Sequence, residues 1–237
     1  YLADRERLYY TLGRDEAFDE KITGWIHQLR HRRNEPSAAP RAILDARDEV
    51  HDLRLRKSPE ELDLMRRANK ITAGAHILAM RHCAPGMNEY ELQALIEFHF
   101  RRHGAEFPAY PSIVGSGANA TCLHYTENRD PIGEEDIILI DAGCEFEFYA
   151  GDITRSFPAS GSFSAAERDA YQSVLDAQKR AIEDIEPELG FDELQERTAR
   201  RLTESLVDLG VLEGSVDALV EEEEYKSYFP HKVGHWL

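Results

Sequence analysis

The chain has 237 residues, 42% of them hydrophobic, and sets 45 acidic against 28 basic side chains for a formal net charge of −17. That balance argues against nucleic acid as a partner, because phosphates bind where basic charge accumulates. No run of about 18 apolar residues occurs, so no helix is expected to span a membrane.

Residues 1–56 read as the end of one unit. Leu8 to Leu12, closed by Gly13, suits a short strand, and Asp19 to Arg33 places Ile22, Trp25, Ile26 and Leu29 at helical spacing. Asn34 to Pro40 is a loop by composition. One strand and one helix cannot bury a core alone, so this piece is assigned to a domain lying mostly outside the chain. A second unit, 57–237, opens at Ser58-Pro59-Glu60-Glu61, where serine caps a helix, proline takes its first position and Glu61 closes a capping box. Leu62, Met65, Ala68, Ile71, Ala75 and Leu78 follow at helical spacing until Pro85-Gly86. Asn88 and Glu91 repeat the cap before Leu92, Leu95, Ile96 and Phe100. Ser164 to Ile185 and Asp192 to Leu209 read as two further helices, with Gly210 as a stop.

Between the helix pairs lie short apolar or β-branched runs: 111–115, 136–141, 146–149 and 153–157. Strands are expected again after the last helix. Clustered strands, rather than strands alternating singly with helices, predict an α+β fold with a largely antiparallel sheet. The chain begins at Tyr1 and stops at Trp236-Leu237 within an apolar segment, so both ends are expected to be cut. Cys83, Cys122 and Cys144 are odd in number and form no CxxC pair. They are read as reduced, mostly buried thiols of a cytoplasmic protein.

Asp141 ends the apolar run Ile138-Leu139-Ile140, and Asp152 follows eleven residues later in Gly151-Asp152-Ile153-Thr154-Arg155. If the two runs pair antiparallel with Asp141 opposite Asp152, the carboxylates share a face, with Cα atoms roughly 4.5–5.5 Å apart. Such a pair calls for a counter-charge, and two divalent cations about 3.5–4 Å apart would supply it. The competing reading is structural: strand-end aspartates cap turns, and Arg155 is close enough in sequence to pair with either. His124 precedes a polar loop. His231 and His235 stand four apart, but Pro230 and Gly234 argue against a helix, so this is no HExxH motif. The other seven histidines, at 27, 31, 51, 76, 82, 99 and 103, are read as structural or surface residues.

Taken together, Ile113-Val114-Gly115-Ser116-Gly117-Ala118-Asn119, Leu123-His124-Tyr125-Thr126-Glu127-Asn128, Leu139 to Gly143, Tyr149 to Arg155 and His231 to Leu237 occur in an order that resembles the bacterial aminopeptidase P (Xaa-Pro aminopeptidase) family. That family belongs to the metallopeptidases of pita-bread fold. The resemblance covers residues 58–237 well and extends to 1–56 as the end of the family's α/β N-terminal domain. It implies a pseudo-symmetric catalytic domain, an antiparallel sheet flanked by helices, incomplete here at its C-terminus. It implies two divalent metal ions, manganese first, with cobalt or zinc satisfying the same ligands. Asp141, Asp152 and His235 match metal ligands, and two glutamate ligands are expected beyond Leu237. His124 and His231 match catalytic histidines that line the substrate site, and Tyr110 a substrate-side tyrosine. The implied reaction removes an N-terminal residue that precedes proline. A homo-oligomer in the cytoplasm, acting on peptides with proline second, completes the expectation. A prolidase, cleaving Xaa-Pro dipeptides with the same ligands, is the alternative enzyme. A non-catalytic binding protein on the same fold is the alternative of another class.

Overall fold

A computed structural model describes residues 1–31 and 38–235 of the chain. The chain divides into two units, Tyr1–Leu64 and Met65–Leu237. In the first, β1 (Arg7–Tyr9) and β2 (Ala42–Leu44) pair in parallel with Leu8 opposite Ile43. A parallel pair needs a crossover, and α1 (Glu16–His31) supplies it, burying Ile22 and Ile26. Residues 32–37, which hold the expected end of this helix and most of the expected loop, lie outside the described residues. Helix α2 (Ala46–Leu55) follows, capped by Asp45, whose side chain accepts from Arg47 N. Neither β2 nor α2 is legible in the sequence. The strand is three residues long, and the helix buries no residue, so neither carries a periodic apolar signal.

The division between the units falls inside α3 (Pro59–His82). Its predicted capping box is present: Ser58 N donates to Glu61 Oε2 at 2.6 Å, and Glu61 N donates to Ser58 Oγ at 3.3 Å. Ala68, Ile71, Ala75 and Ala79 form its buried stripe. Helix α4 (Glu89–Arg102) turns Leu92, Ile96 and Phe100 into the same unit's core, each 0–1% exposed. Burial of each such side chain contributes roughly 1.5–3 kcal/mol.

The strands form two antiparallel three-stranded sheets. One is ordered β3 (Phe107–Pro108), β6 (Cys144–Phe146), β7 (Tyr149–Ala150); the other β4 (Ile113–Ser116), β5 (Ile137–Ala142), β8 (Ile153–Pro158). A single long hairpin runs through both. β5 pairs β8 with Asp141 opposite Thr154, and β6 pairs β7 with Phe146 opposite Tyr149, which is one continuous register. The expected pairing of Asp141 with Asp152 is therefore corrected by two residues. The cause is the turn: Glu147 (φ 48°) and Phe148 (φ 70°) form a two-residue loop with both φ positive, as a type I′ hairpin requires. The 146–149 run, expected to be extended, is this turn and its flanks.

The hairpin bends where it passes from one sheet to the other. At Gly143 a Cβ would stand 1.6 Å from the carbonyl oxygen of Gly151, so only glycine permits this approach. Along β5, Ile138, Ile140 and Ala142 are fully buried, whereas Ile137, Leu139 and Asp141 on the other face are less so. An apolar strand thus delivers its carboxylate to the more open side.

Helices α5 (Ala165–Glu183) and α6 (Phe191–Asp208) match the expected pair, with the Ser164–Glu167 capping box formed and Gly210 at φ 68°. Beyond them the expected strands are absent among the described residues. A short helix, α7 (Val216–Glu221), and a 3₁₀ turn at Glu224–Ser227 stand there instead. The local reason is Ser215, whose hydroxyl accepts from Ala218 N and opens the helix. The cysteines are unpaired as expected, but only Cys144 is buried; Cys122 is exposed and Cys83 intermediate.

Candidate metal centre

Asp141 is the penultimate residue of β5 and Asp152 immediately precedes β8, so the bend of the hairpin presents both carboxylates on one face. The two-residue correction in register keeps this parity, because side chains alternate with a period of two. Asp152 becomes a diagonal rather than a direct neighbour of Asp141, a longer separation of roughly 7–8 Å.

Tyr110, in the link between β3 and β4, closes the gap. Its hydroxyl lies 2.6 Å from Asp141 Oδ1 and 3.1 Å from Asp152 Oδ1. Burial, and next the hydrogen bond to Asp141, hold this phenol protonated well above its ordinary range. It is a donor to the carboxylates at any physiological pH. His235 Nε2 lies 3.2 Å from Asp152 Oδ2, although the imidazole side chain is 71% exposed.

Arg155, the counter-charge offered by the structural alternative, does not serve. It donates to its neighbour's carbonyl, Thr154 O, and strand alternation points it to the face opposite Asp141. The phenol has one proton to share between two carboxylates, which repel each other. Two hard oxygen donors with one imidazole are a donor set that fits a divalent cation. Among the described residues, however, no three His, Cys, Asp or Glu side chains are arranged as a group that could hold a metal ion. The fit rests on the chemistry of the donors and on the unbalanced carboxylates.

Among the described residues, the remaining site candidates make no hydrogen bond to this cluster. His124 is exposed, has φ 57°, and makes no hydrogen bond to either aspartate among the described residues. His231 is also exposed; its Nδ1 lies 2.9 Å from Lys232 O and its ring packs edge-on against Phe229. The segment 230–235 is neither helix nor strand, so shared-face arguments from spacing do not apply to its two histidines. Val233 N donates to Gln195 Oε1 at 2.6 Å, which ties the segment to α6. Trp236 and Leu237, part of the motif read from the sequence, lie outside the described residues.

Sequence reasoning missed the polar network behind the strands. Glu89, at the start of α4, is fully buried and bonded to Ser116, Asn119, Tyr125 and Asp130. Nothing in the sequence separates it from the ordinary acids of a helix's first turn. His76, set aside with the other histidines, is buried beneath the strand end, with Nε2 3.2 Å from Ala142 O.

The profile of metallopeptidase family M24 matches residues 63–237. The Xaa-Pro aminopeptidase of Haemophilus influenzae is 50% identical over 195 residues, covering 82% of this chain and 45% of that protein. That of Escherichia coli is 42% identical over 230 residues, covering 97% and 52%. The chain thus spans about half the length of these curated relatives. Among solved structures, Pseudomonas aeruginosa aminopeptidase PepP superposes with a TM-score of 0.95 at 45% identity, covering all of this chain and 53% of its own. Zinc-substituted E. coli aminopeptidase P with bound product gives 0.91 at 41% identity, covering 95% and 51%. The α+β, pita-bread reading is therefore correct. The chain belongs to metallopeptidase family M24, whose members work with divalent metal, and it is similar in sequence and structure to the Xaa-Pro aminopeptidases.

Proposed function

We propose that this chain is part of an Xaa-Pro aminopeptidase that hydrolyses the bond between an N-terminal residue and a following proline. The observation that carries the reading is the joining of Asp141 and Asp152 through the Tyr110 hydroxyl, with His235 beside Asp152, in a chain 42–50% identical to proteins of that activity. Asp141, Asp152 and His235 would hold two divalent cations, manganese by preference, together with two glutamates expected beyond Leu237. When bound, such cations activate water near neutral pH and polarise the scissile carbonyl.

The chain's own residues do the rest. The hairpin holds the aspartates on one face, and Tyr110 orients both carboxylates through its hydroxyl. His124 and His231 line the substrate side with Tyr110; the histidines donate to the substrate carbonyl and to charge developing on it. Residues 1–56 are the end of an N-terminal domain, and 57–237 part of the catalytic domain. The cysteines, none of them in a disulfide, support a cytoplasmic location. A homo-oligomer is proposed from the resemblance, and light scattering of the longer protein checks it.

The test is turnover by the longer protein of Xaa-Pro-Xaa peptides, Xaa-Pro dipeptides and Xaa-Ala-Xaa peptides, before and after chelation and with manganese restored. Cleavage confined to Xaa-Pro-Xaa, lost on chelation and regained with manganese, is expected. Preference for the dipeptide would make the protein a prolidase. No turnover with retained peptide binding would make it a binding protein.

A further inference from the structure

The segment between β4 and β5 carries His124 and holds little regular structure beyond the 3₁₀ turn Gly117–Thr121. A chain of this kind has many accessible conformations unless something fixes it. Here one carboxylate does much of the fixing. Glu89 Oε1 accepts from Ser116 N at 2.8 Å and Asn119 Nδ2 at 3.0 Å. Its Oε2 accepts from Tyr125 hydroxyl at 2.7 Å and Asp130 N at 3.0 Å. The group is 0% exposed, and among the described residues no lysine or arginine pairs with it. Its charge is met by these four donors and by the start of its own helix.

The partners bracket His124 on both sides: Ser116 and Asn119 before it, Tyr125 and Asp130 after it. A second anchor lies inside the bracket. Asn128 is 1% exposed; its Oδ1 accepts from Val114 N, and its Nδ2 donates to Gln93 Oε1 and Ser112 O. Between these ties His124 is held at φ 57°, a backbone state that costs a non-glycine residue about 1–2 kcal/mol. Such a state persists where its surroundings over-determine it.

We propose that Glu89 is a positioning residue of this enzyme: its buried carboxylate fixes segment 117–131 so that His124 meets substrate in one strained conformation. The inference rests on the reading of His124 as a substrate-side residue. Glutamine cannot replace Glu89, because its amide has an acceptor at one end only. Whichever way it turns, its NH₂ faces the N–H of Ser116 or that of Asp130.

The test uses the metal-loaded longer protein and an Xaa-Pro-Xaa peptide, with E89Q, H124A and the double variant. E89Q is expected to lower kcat/KM on the order of 10- to 100-fold, as misplacement of a reacting group does. In the H124A background the further loss is expected to shrink to less than about threefold, because both changes remove one function. Amide exchange across 119–130 should rise at least about tenfold in E89Q while that of β5 stays unchanged. Additive losses, or unchanged exchange in 119–130, overturn the proposal. If E89Q does not fold, Y125F removes one of the four bonds and should show the same pattern at smaller amplitude; additivity there is equally fatal. If H124A alone keeps full activity, the reading of His124 fails, and the exchange measurement still decides whether Glu89 fixes the segment.

Discussion

Tyr110 illustrates how one hydroxyl conditions a charged site. It supplies the one proton that Asp141 Oδ1 and Asp152 Oδ1 both approach. Y110F should therefore destabilise the metal-free protein by about 1.5–3 kcal/mol, the range for a lost bond to a charged group. Added manganese should shrink that difference, because a bound cation balances the two carboxylates that the hydroxyl otherwise bridges, as read from thermal melts with and without the metal. Equal destabilisation in both conditions would place Tyr110 outside the charge balance. His76 gives the pH counterpart. Burial holds its pKa below the ordinary histidine value, opposed by the hydrogen bond to Ala142 O, and its Nδ1 has no partner for a second proton. The unfolded state then binds this proton first as pH falls, so the stability His76 contributes is present above about pH 6.5 and is lost below it. Chemical unfolding of the chelated protein between pH 8 and pH 5 should show a shallower slope in H76Q than in the parent. The difference is at most about 1.4 kcal/mol per pH unit; parallel slopes would disprove the assignment. The sequence marked Asp141, Asp152 and His235 through ordered motifs, but it passed over His76 and Glu89. A buried histidine or glutamate is written with the same letter as an exposed one, and burial is set by distant elements.

The hairpin is the element on which the site depends. Its turn is built from Glu147 and Phe148 at positive φ, where Asn-Gly is the favoured pair, and Phe148 is 91% exposed. The double substitution E147N/F148G should stabilise the protein by about 1–2 kcal/mol by removing left-handed strain from non-glycine residues. The melting temperature should rise by roughly 2–4 °C per kcal/mol, with kcat/KM unchanged. A fall in melting temperature would mean that Phe148 makes contacts worth more than the strain. The strands themselves were legible as apolar runs, and the long helices as periodic stripes closed by capping boxes. The turn was not, because its residues carry no turn signature. That single omission displaced the expected register by two residues. The short elements β2, α2 and α7 escaped because three to ten residues are too few to carry a clear periodic apolar signal.

At the scale of the whole molecule, metal affinity tests the proposed ligand set. With Asp141, Asp152 and His235 but without the two glutamates expected beyond Leu237, the 237-residue polypeptide should gain little stability from manganese. The longer protein should gain RT ln(1 + [L]/Kd), about 2.7 kcal/mol at 100 times Kd, and D141N should abolish most of it. Calorimetric titration of both proteins checks this, and equal, tight binding would refute the proposed ligand division. By itself the amino-acid sequence determined the family, the α+β class, the long helices and the identity of the metal-ligand candidates. These are written in local periodicity, in caps and in the order of short motifs. Tertiary structure alone decided the hairpin register, the bridging of Asp141 and Asp152 by Tyr110, and the anchoring of the His124 segment by Glu89. Those depend on which atoms meet across 14 to 42 residues of chain, and such meetings arise only when strands and helices pack around a common core.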